Sequence, residues 1–504
     1  MVREIYRHEE FVEVTEEQIK EPISKVDTAW LRMEQPTNLM MINGVIMLDE
    51  HLDYDALIMT IEQRFLTFRR FRQKAVDGAR GAFWVFDEDF DIRQHVRRAA
   101  LPGAADRAEL ELFVSDLAST PLDNSHPLWQ FHVIENYVDG PVIVVRIHHC
   151  IADGIALVQV FLSLTDPTPE GRPSAREPDV WKERRASEAK VFQRLIDPAR
   201  EGLDFATYVG QRLVEEGAKI FQNPAVAGNY ATEAGEIVRE LAHSLTLEND
   251  PVTRFKGKLG THKQVAWADP LSLDEVKAVS KAFGCTVNDV LIAAVSGAFR
   301  QYMVSVGDDP DGLPDIRATV PVNLRPLEHA QDLGNHFGLV FLSLPLSIEN
   351  PLERLYAVND RMNELKSSKQ AAVTLGFLAA LGLGPSAVQK PVLDILSQKA
   401  TAVLTNVPGP QQPLYLAGAK LKELMFWVPQ IGSVGLGISI LSYNGRVFFG
   451  LISDRRLLPE PSKVISRFKE EFEKLLYLGM MLPLQGRPSV RTAKSLLDNS
   501  PEDH

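Results

Sequence analysis

The segment His148-His149-Cys150-Ile151-Ala152-Asp153-Gly154 sets two imidazoles, a thiol and a carboxylate directly behind the apolar run Pro141–Ile147. A neutral imidazole can take up a proton near neutral pH, which suits abstraction from a hydroxyl. Read as a strand, the run sends successive side chains to opposite faces. His149 then shares a face with Ile143, Val145 and Ile147, while His148 shares the other with Val142, Val144 and Arg146. One imidazole is thus expected on a stiff element in apolar surroundings. Plainer roles are open to each residue. A strand-end His is often merely packed, Asp153 is well placed to cap a helix over Ile155–Leu162, and Gly154 is ordinary turn chemistry. Adjacent strand residues diverge, so His148 and His149 do not grip one metal ion, and no second Cys/His cluster has ligand spacing. Cys150 alternates away from His149 by the same rule, which weakens a thiol-nucleophile reading.

The elements around this segment divide the chain unevenly. A first unit, 1–185, contains a helix over Asp55–Phe65, with Leu57, Ile61 and Phe65 on one face, and the His strand closing its sheet. The stretch Asp166–Pro173 reads as a loop, and 186–255 as a helical connector broken by Pro and Gly. A second unit, 256–485, has a helix opening at Thr286, a fair N-cap, with Asp289 in its first turn and an apolar stripe from Val287 to Ala298. Asn288 and Asp289 there either start the helix or lend its N-terminus to developing negative charge. Strands are expected at Arg317–Val322, Leu339–Leu344, Gly435–Leu441 and Val447–Leu451, and a mobile polar tail over 486–504.

Composition bounds the function. At 504 residues the chain exceeds a single core, so two domains are the default. A net charge of −13 argues against a nucleic-acid partner. Basic residues gather at Arg69, Arg70, Arg72, Lys74 and Arg80, most simply as a solvated surface. Two cysteines, Cys150 and Cys285, make no disulfide framework and suit a reducing cytoplasm. The first ten residues lack the apolar core of a signal peptide. No run reaches the ~18 apolar residues of a membrane span. The longest, Ala371–Gly384, and a second patch, Leu424–Pro429, suit a buried core, a tunnel wall or a lipid contact.

The pattern His148-His149-x-x-x-Asp153-Gly154 resembles the signature of the acyltransferase superfamily that includes chloramphenicol acetyltransferase and the condensation domains of peptide synthetases. Further segments are Pro22–Asp27, Pro121-Leu122-Asp123, Pro127-Leu128-Trp129, Val287–Val290, Pro321–Arg325, Gly334–Gly338, Thr405–Pro410 and Ser442–Gly445. In this order and spacing the set resembles the bifunctional wax ester synthase/acyl-CoA:diacylglycerol acyltransferase family, over roughly residues 21–477.

The resemblance implies an α/β protein of two chloramphenicol acetyltransferase-like domains, each a mixed β-sheet flanked by helices, with a tunnel between them. It implies transfer of a long-chain acyl group from acyl-CoA to a fatty alcohol or to diacylglycerol, giving wax ester or triacylglycerol. His149 would be the general base, supported by His148. Asp153 would hold the loop by pairing with an Arg, for which Arg325 is the choice, with Gly154 and Asn323 as further structural members of the motifs. Asn288 leads as oxyanion donor, beside Asp289, with Thr405, Asn406 and Ser442 as alternatives. No metal or cofactor is implied, coenzyme A entering only with the donor. The expected setting is cytoplasmic, with peripheral contact to a membrane or lipid body. Two other readings stay open: acyl transfer to an amine or from a carrier protein, and a catalytically silent lipid-body protein. The intact His motif speaks against the second.

Overall fold

The computed structural model describes residues 20–171, 247–323, 333–366 and 394–481, apart from 50, 79, 80 and 336, together with Thr374. Arg325, the connector as far as residue 246, the tail and all of Ala371–Gly384 except Thr374 lie outside these residues.

Two seven-stranded sheets carry the architecture, with a three-stranded sheet beside them. The first runs in the order Val96–Ala99, Trp129–Ile134, Val142–His148, Met41–Leu48, Ala419–Trp427, Tyr415–Leu416, Thr165–Asp166. The His strand was expected to close this sheet, but it stands inside it, antiparallel to both neighbours, with Met41 opposite His148 and Trp129 opposite Ile147. The run Val142–Val144 is apolar on both faces and buried, which suits an interior strand covered on both sides.

The same sheet takes strands from far along the chain. Ala419–Trp427 lies antiparallel to Met41–Leu48, with Phe426 opposite Gly44. The patch expected at Leu424–Pro429 is therefore largely a sheet strand. Asp166, read as the start of a loop, belongs with Thr165 to a short strand that pairs with Tyr415–Leu416.

The second sheet is built from residues after 262 alone: Leu271–Ser272, Arg446–Asp454, Leu436–Tyr443, Ala402–Pro408, Ile316–Asn323 and Phe337–Leu344, with Lys263–Trp267 also paired to Arg446–Asp454. Helices Leu273–Phe283, Val287–Ser305, Pro351–Lys366 and Ser462–Met481 complete the second core. A buried ion pair between Arg354 and Glu471 joins two of them, and Arg354 Nε also donates to the Ala293 carbonyl at 3.1 Å. No single helix among the described residues is long and apolar enough to cross a membrane.

Local chemistry sets the helix starts. Asp53 caps Tyr54–Thr60, which passes into a π-helical turn over Ile61–Phe65 where a regular helix was expected. Asp153 caps Gly154–Leu164, its Oδ1 accepting from Ala156 N at 2.9 Å. Thr286 and Asp289 form a reciprocal capping box at the start of Val287–Ser305.

Candidate active site

The strand Val142–His148 divides its side chains as the alternation requires. Ile143, Val145 and Ile147 face an apolar cavity, and His149 continues on their side into a second cavity. His148 turns the other way. Its Nδ1 accepts from Cys150 N at 3.1 Å, which places the proton on Nε2, 3.0 Å from the Glu34 carboxylate. Burial would lift the Glu34 carboxyl, but the hydrogen bond and charge of His148 bring it below its ordinary value. Both nitrogens of His148 are thus engaged.

His149 is held by its backbone instead. Its N–H donates to the Met40 carbonyl at 2.7 Å, and its carbonyl accepts from Asn335 Nδ2 at 2.7 Å. Asn335 also donates twice to Asp27 Oδ1, from Nδ2 at 2.8 Å and from N at 2.9 Å. The Asp153 N–H reaches the Gly334 carbonyl at 3.2 Å. Gly334 has a φ of +111°, open to glycine and strained for other residues. Three other segments, at Asp27, Met40 and Gly334–Asn335, thereby fix one short turn.

The ring of His149 stacks on Trp30, with centroids 4.3 Å apart and planes at 22°, and meets Phe337 at 5.6 Å. Its Nδ1 is buried without a full hydrogen bond among the described residues, and the carbonyl of His149 itself and the Asn335 side chain favour a protonated ring. Nε2 is then the nitrogen left for the cavity that the ring lines. Burial holds the imidazole pKa down to about 4, against the opposing pull of the Asp153 charge. The ring is neutral at neutral pH, as a proton acceptor must be. Cys150 is wholly buried, and burial pushes its thiol well above the ordinary range, so it is no ready nucleophile.

The opposite wall of the His149 cavity comes from the second sheet. Thr319, Pro321, Thr405 and Asn406 line it, with Phe426 and Val428 from the shared strand and the residues after it. The Thr405 hydroxyl donates to the Ile438 carbonyl at 3.3 Å. Asn406 Nδ2 donates to Asn288 Oδ1 at 2.8 Å, so Asn288 orients a cavity residue without lining the cavity itself. The Asp289 carboxylate is spent on the capping box and on Asn359 Nδ2 at 2.8 Å, inside the second core. Ser442 Oγ accepts from Gln411 Nε2 at 3.1 Å and lines neither cavity. Asn323 ends the strand opposite Phe337.

Trp30, Asp27, Asn335 and Phe337 were not singled out from the sequence as site residues. Asp27, Asn335 and Phe337 fall inside the segments that carry the family resemblance. No local pattern, however, announces a contact across 308 positions.

The two cavities share Gly154, Val407 and Phe426 as wall residues. A buried imidazole kept neutral where a mixed chamber meets an apolar one, between two mixed sheets, is an arrangement suited to proton transfer beside an apolar substrate. Residues 23–291 match the wax ester synthase/diacylglycerol acyltransferase catalytic domain, and 333–476 the C-terminal domain of the same family. The chain belongs to the wax ester synthase/diacylglycerol acyltransferase family and is an acyltransferase.

A Mycobacterium tuberculosis protein carrying the name diacylglycerol O-acyltransferase is 27% identical over 481 residues, covering 90% of each chain. The M. tuberculosis protein tgs1, of the same designation, is 27% identical over 435 residues, covering 85% of this chain and 89% of its own. Among solved structures, the wax ester synthase/diacylglycerol acyltransferase of Marinobacter aquaeolei VT8 superposes with a TM-score of 0.62 at 22% identity, covering 92% of this chain and 100% of its own. The starter condensation domain of rhizomide synthetase superposes with a TM-score of 0.55 at 12% identity, covering 93% of this chain and 96% of its own. Both likenesses bear out the expected two-domain α/β fold.

Proposed function

We propose that the protein transfers the acyl group of a long-chain acyl-CoA to the hydroxyl of a fatty alcohol or a diacylglycerol, with His149 as general base. The observation that carries this reading is the unpaired imidazole of His149 at the meeting of its chamber with the apolar tunnel. The acceptor hydroxyl gives its proton to Nε2 as its oxygen attacks the thioester carbonyl carbon. The resulting tetrahedral oxyanion collapses, the C–S bond breaks, and the imidazolium returns the proton to the coenzyme A sulfur. No protein nucleophile is needed, in keeping with a disarmed Cys150.

Asn406 is the best placed of the oxyanion candidates. Its amide is oriented by Asn288, and an amide nitrogen with one hydrogen bond made keeps a second N–H to offer. Asp153 supports the turn by capping the helix behind it and by its N–H to Gly334.

Substrates of this kind partition into lipid. The end of the helix Ser462–Met481 exposes Tyr477, Met480 and Met481, which suits peripheral contact with a lipid surface. Co-flotation with lipid vesicles checks that contact, and protein left wholly at the bottom of the gradient refutes it.

Thiol release from palmitoyl-CoA, with hexadecanol, dioleoylglycerol or a long-chain amine offered in parallel, tests the reaction. Release that depends on an alcohol, with the ester recovered by chromatography, is the expected result. Release with the amine alone, without any acceptor, or not at all from folded protein contradicts it.

A further inference from the structure

Three glycines line the apolar tunnel, Gly44, Gly154 and Gly409, and Gly44 lies on its sheet floor. On that floor Ile42, Gly44 and Ile46 alternate inward from one strand beside Ile143, Val145 and Ile147 of the next. Phe161 and Leu157 close it from the helix after the His motif. Gly44 is the floor position of that strand without a side chain.

The backbone does not explain this glycine, because Gly44 is not among the positive-φ residues. Neighbouring atoms do not exclude a side chain either. A Cβ built there would meet Met425 O at 3.6 Å, Val145 Cβ at 3.7 Å and Phe426 Cβ at 3.8 Å, all ordinary contacts. Glycine inside a strand weakens it and often marks a close approach by a ligand. What it provides here is a stretch of floor made of backbone alone, against which the cavity lies directly.

Register converts that position into a length. Gly44 pairs with Val145, four residues before His149, so it lies about 13 Å along the strand from the base. Ile46 pairs with Ile143, six residues before, at about 20 Å. An extended hydrocarbon advances about 1.3 Å per carbon, from ~1.5 Å bonds at tetrahedral angles. The two positions therefore fall near carbons ten and fifteen of a chain whose reacting end sits at His149.

We propose that Gly44 sets the length of hydrocarbon chain this enzyme accepts, by leaving the tunnel open beyond about ten carbons. The inference rests on the acyl-transfer reading given above. It adds a ruler and the residue that keeps the ruler long. The chain belongs to one of the two reactants, and varying each separately identifies which.

The test compares wild type with Gly44→Leu and Gly44→Ala on acyl-CoA donors of 6 to 18 carbons at fixed alcohol, and on alcohols of that range at fixed donor. Gly44→Leu is expected to raise the ratio of short-chain to C16 kcat/KM by at least about tenfold on one axis only. Gly44→Ala should move it slightly the same way. A variant at Ile46, Ile46→Phe, should cut only the longest chains, and it serves equally if Gly44→Leu fails to fold. Profiles parallel to wild type on both axes overturn the proposal, whatever the overall rate.

Thermal-shift titration with octanoyl-CoA and palmitoyl-CoA reads the ruler without turnover. Palmitoyl-CoA should lose its advantage in Gly44→Leu, and an undiminished advantage counts against the proposal. Wild-type protein that binds long chains but esterifies no alcohol would refute the acyl-transfer reading while leaving the ruler measurable.

Discussion

On one face of the strand Val142–His148 the imidazole of His148 has both nitrogens occupied, by the Cys150 N–H and the Glu34 carboxylate. On the other face the ring of His149 stacks on Trp30 beside a tilted Phe337, its Nδ1 makes no full hydrogen bond among the described residues, and the Asn335 side chain is the polar group that attends it. The two histidines are neighbours in sequence and alike in burial, so exposure does not separate their roles. Pairing does. A partnered imidazole holds structure, whereas an unpartnered one kept neutral by its surroundings has a lone pair to give.

Substitutions on either side can break this contrast. Removal of the Asn406 amide should have the largest effect away from His149. Asn406→Ala is expected to lower kcat by about 100-fold or more if it meets the oxyanion, with KM little changed. Steady-state kinetics that show a few-fold loss would reassign the donor. Asn335→Ala should cost about tenfold through a loosened turn, because small displacements of a base are expensive. Rescue by Asn335→Asp is not expected, since a carboxylate beside Asp27 would repel it.

His148→Ala should act on stability, losing about 1 kcal/mol as the half-buried Glu34 loses its hydrogen bond to the imidazole, and leave turnover within about tenfold of wild type. Denaturant titration together with kinetics separates the two effects.

The pH dependence of stability carries a subtler mark. A histidine whose folded pKa is lowered contributes stability that is complete above the unfolded value of ~6.5 and lost as pH falls toward the folded value. For His149, with a folded pKa of about 4, the loss between pH 7 and pH 5 comes to about 2 kcal/mol. His149→Ala should therefore lose about 2 kcal/mol less than wild type over that interval. Equal losses in the two proteins would mean that the imidazole is not held neutral by burial.

The sequence showed the contrast only in part. Alternation along Pro141–Ile147 separated the faces of His148 and His149, because side-chain direction in a strand is a local property. The caps at Asp153 and Thr286 were legible for the same reason. Trp30, Asp27 and Asn335 were not, since each reaches His149 only after distant segments have packed. The placement of Ala419–Trp427 beside Met41–Leu48 was equally hidden: a nine-residue strand does not state its partner. That strand supplies Phe426, which borders both cavities, so the shape of the site depends most on the pairing that local pattern reveals least. The tunnel floor followed the same rule. Gly44 was not singled out from the sequence, and only its register against Val145 gives it a distance from the base.

The most direct test of the account is turnover of palmitoyl-CoA and an alcohol by His149→Ala, on protein shown to be folded by its circular dichroism and melting transition. The account predicts a fall in kcat of at least about 100-fold with the fold retained. Turnover near wild type in the folded variant would contradict it and return the search for the base to the rest of the chamber.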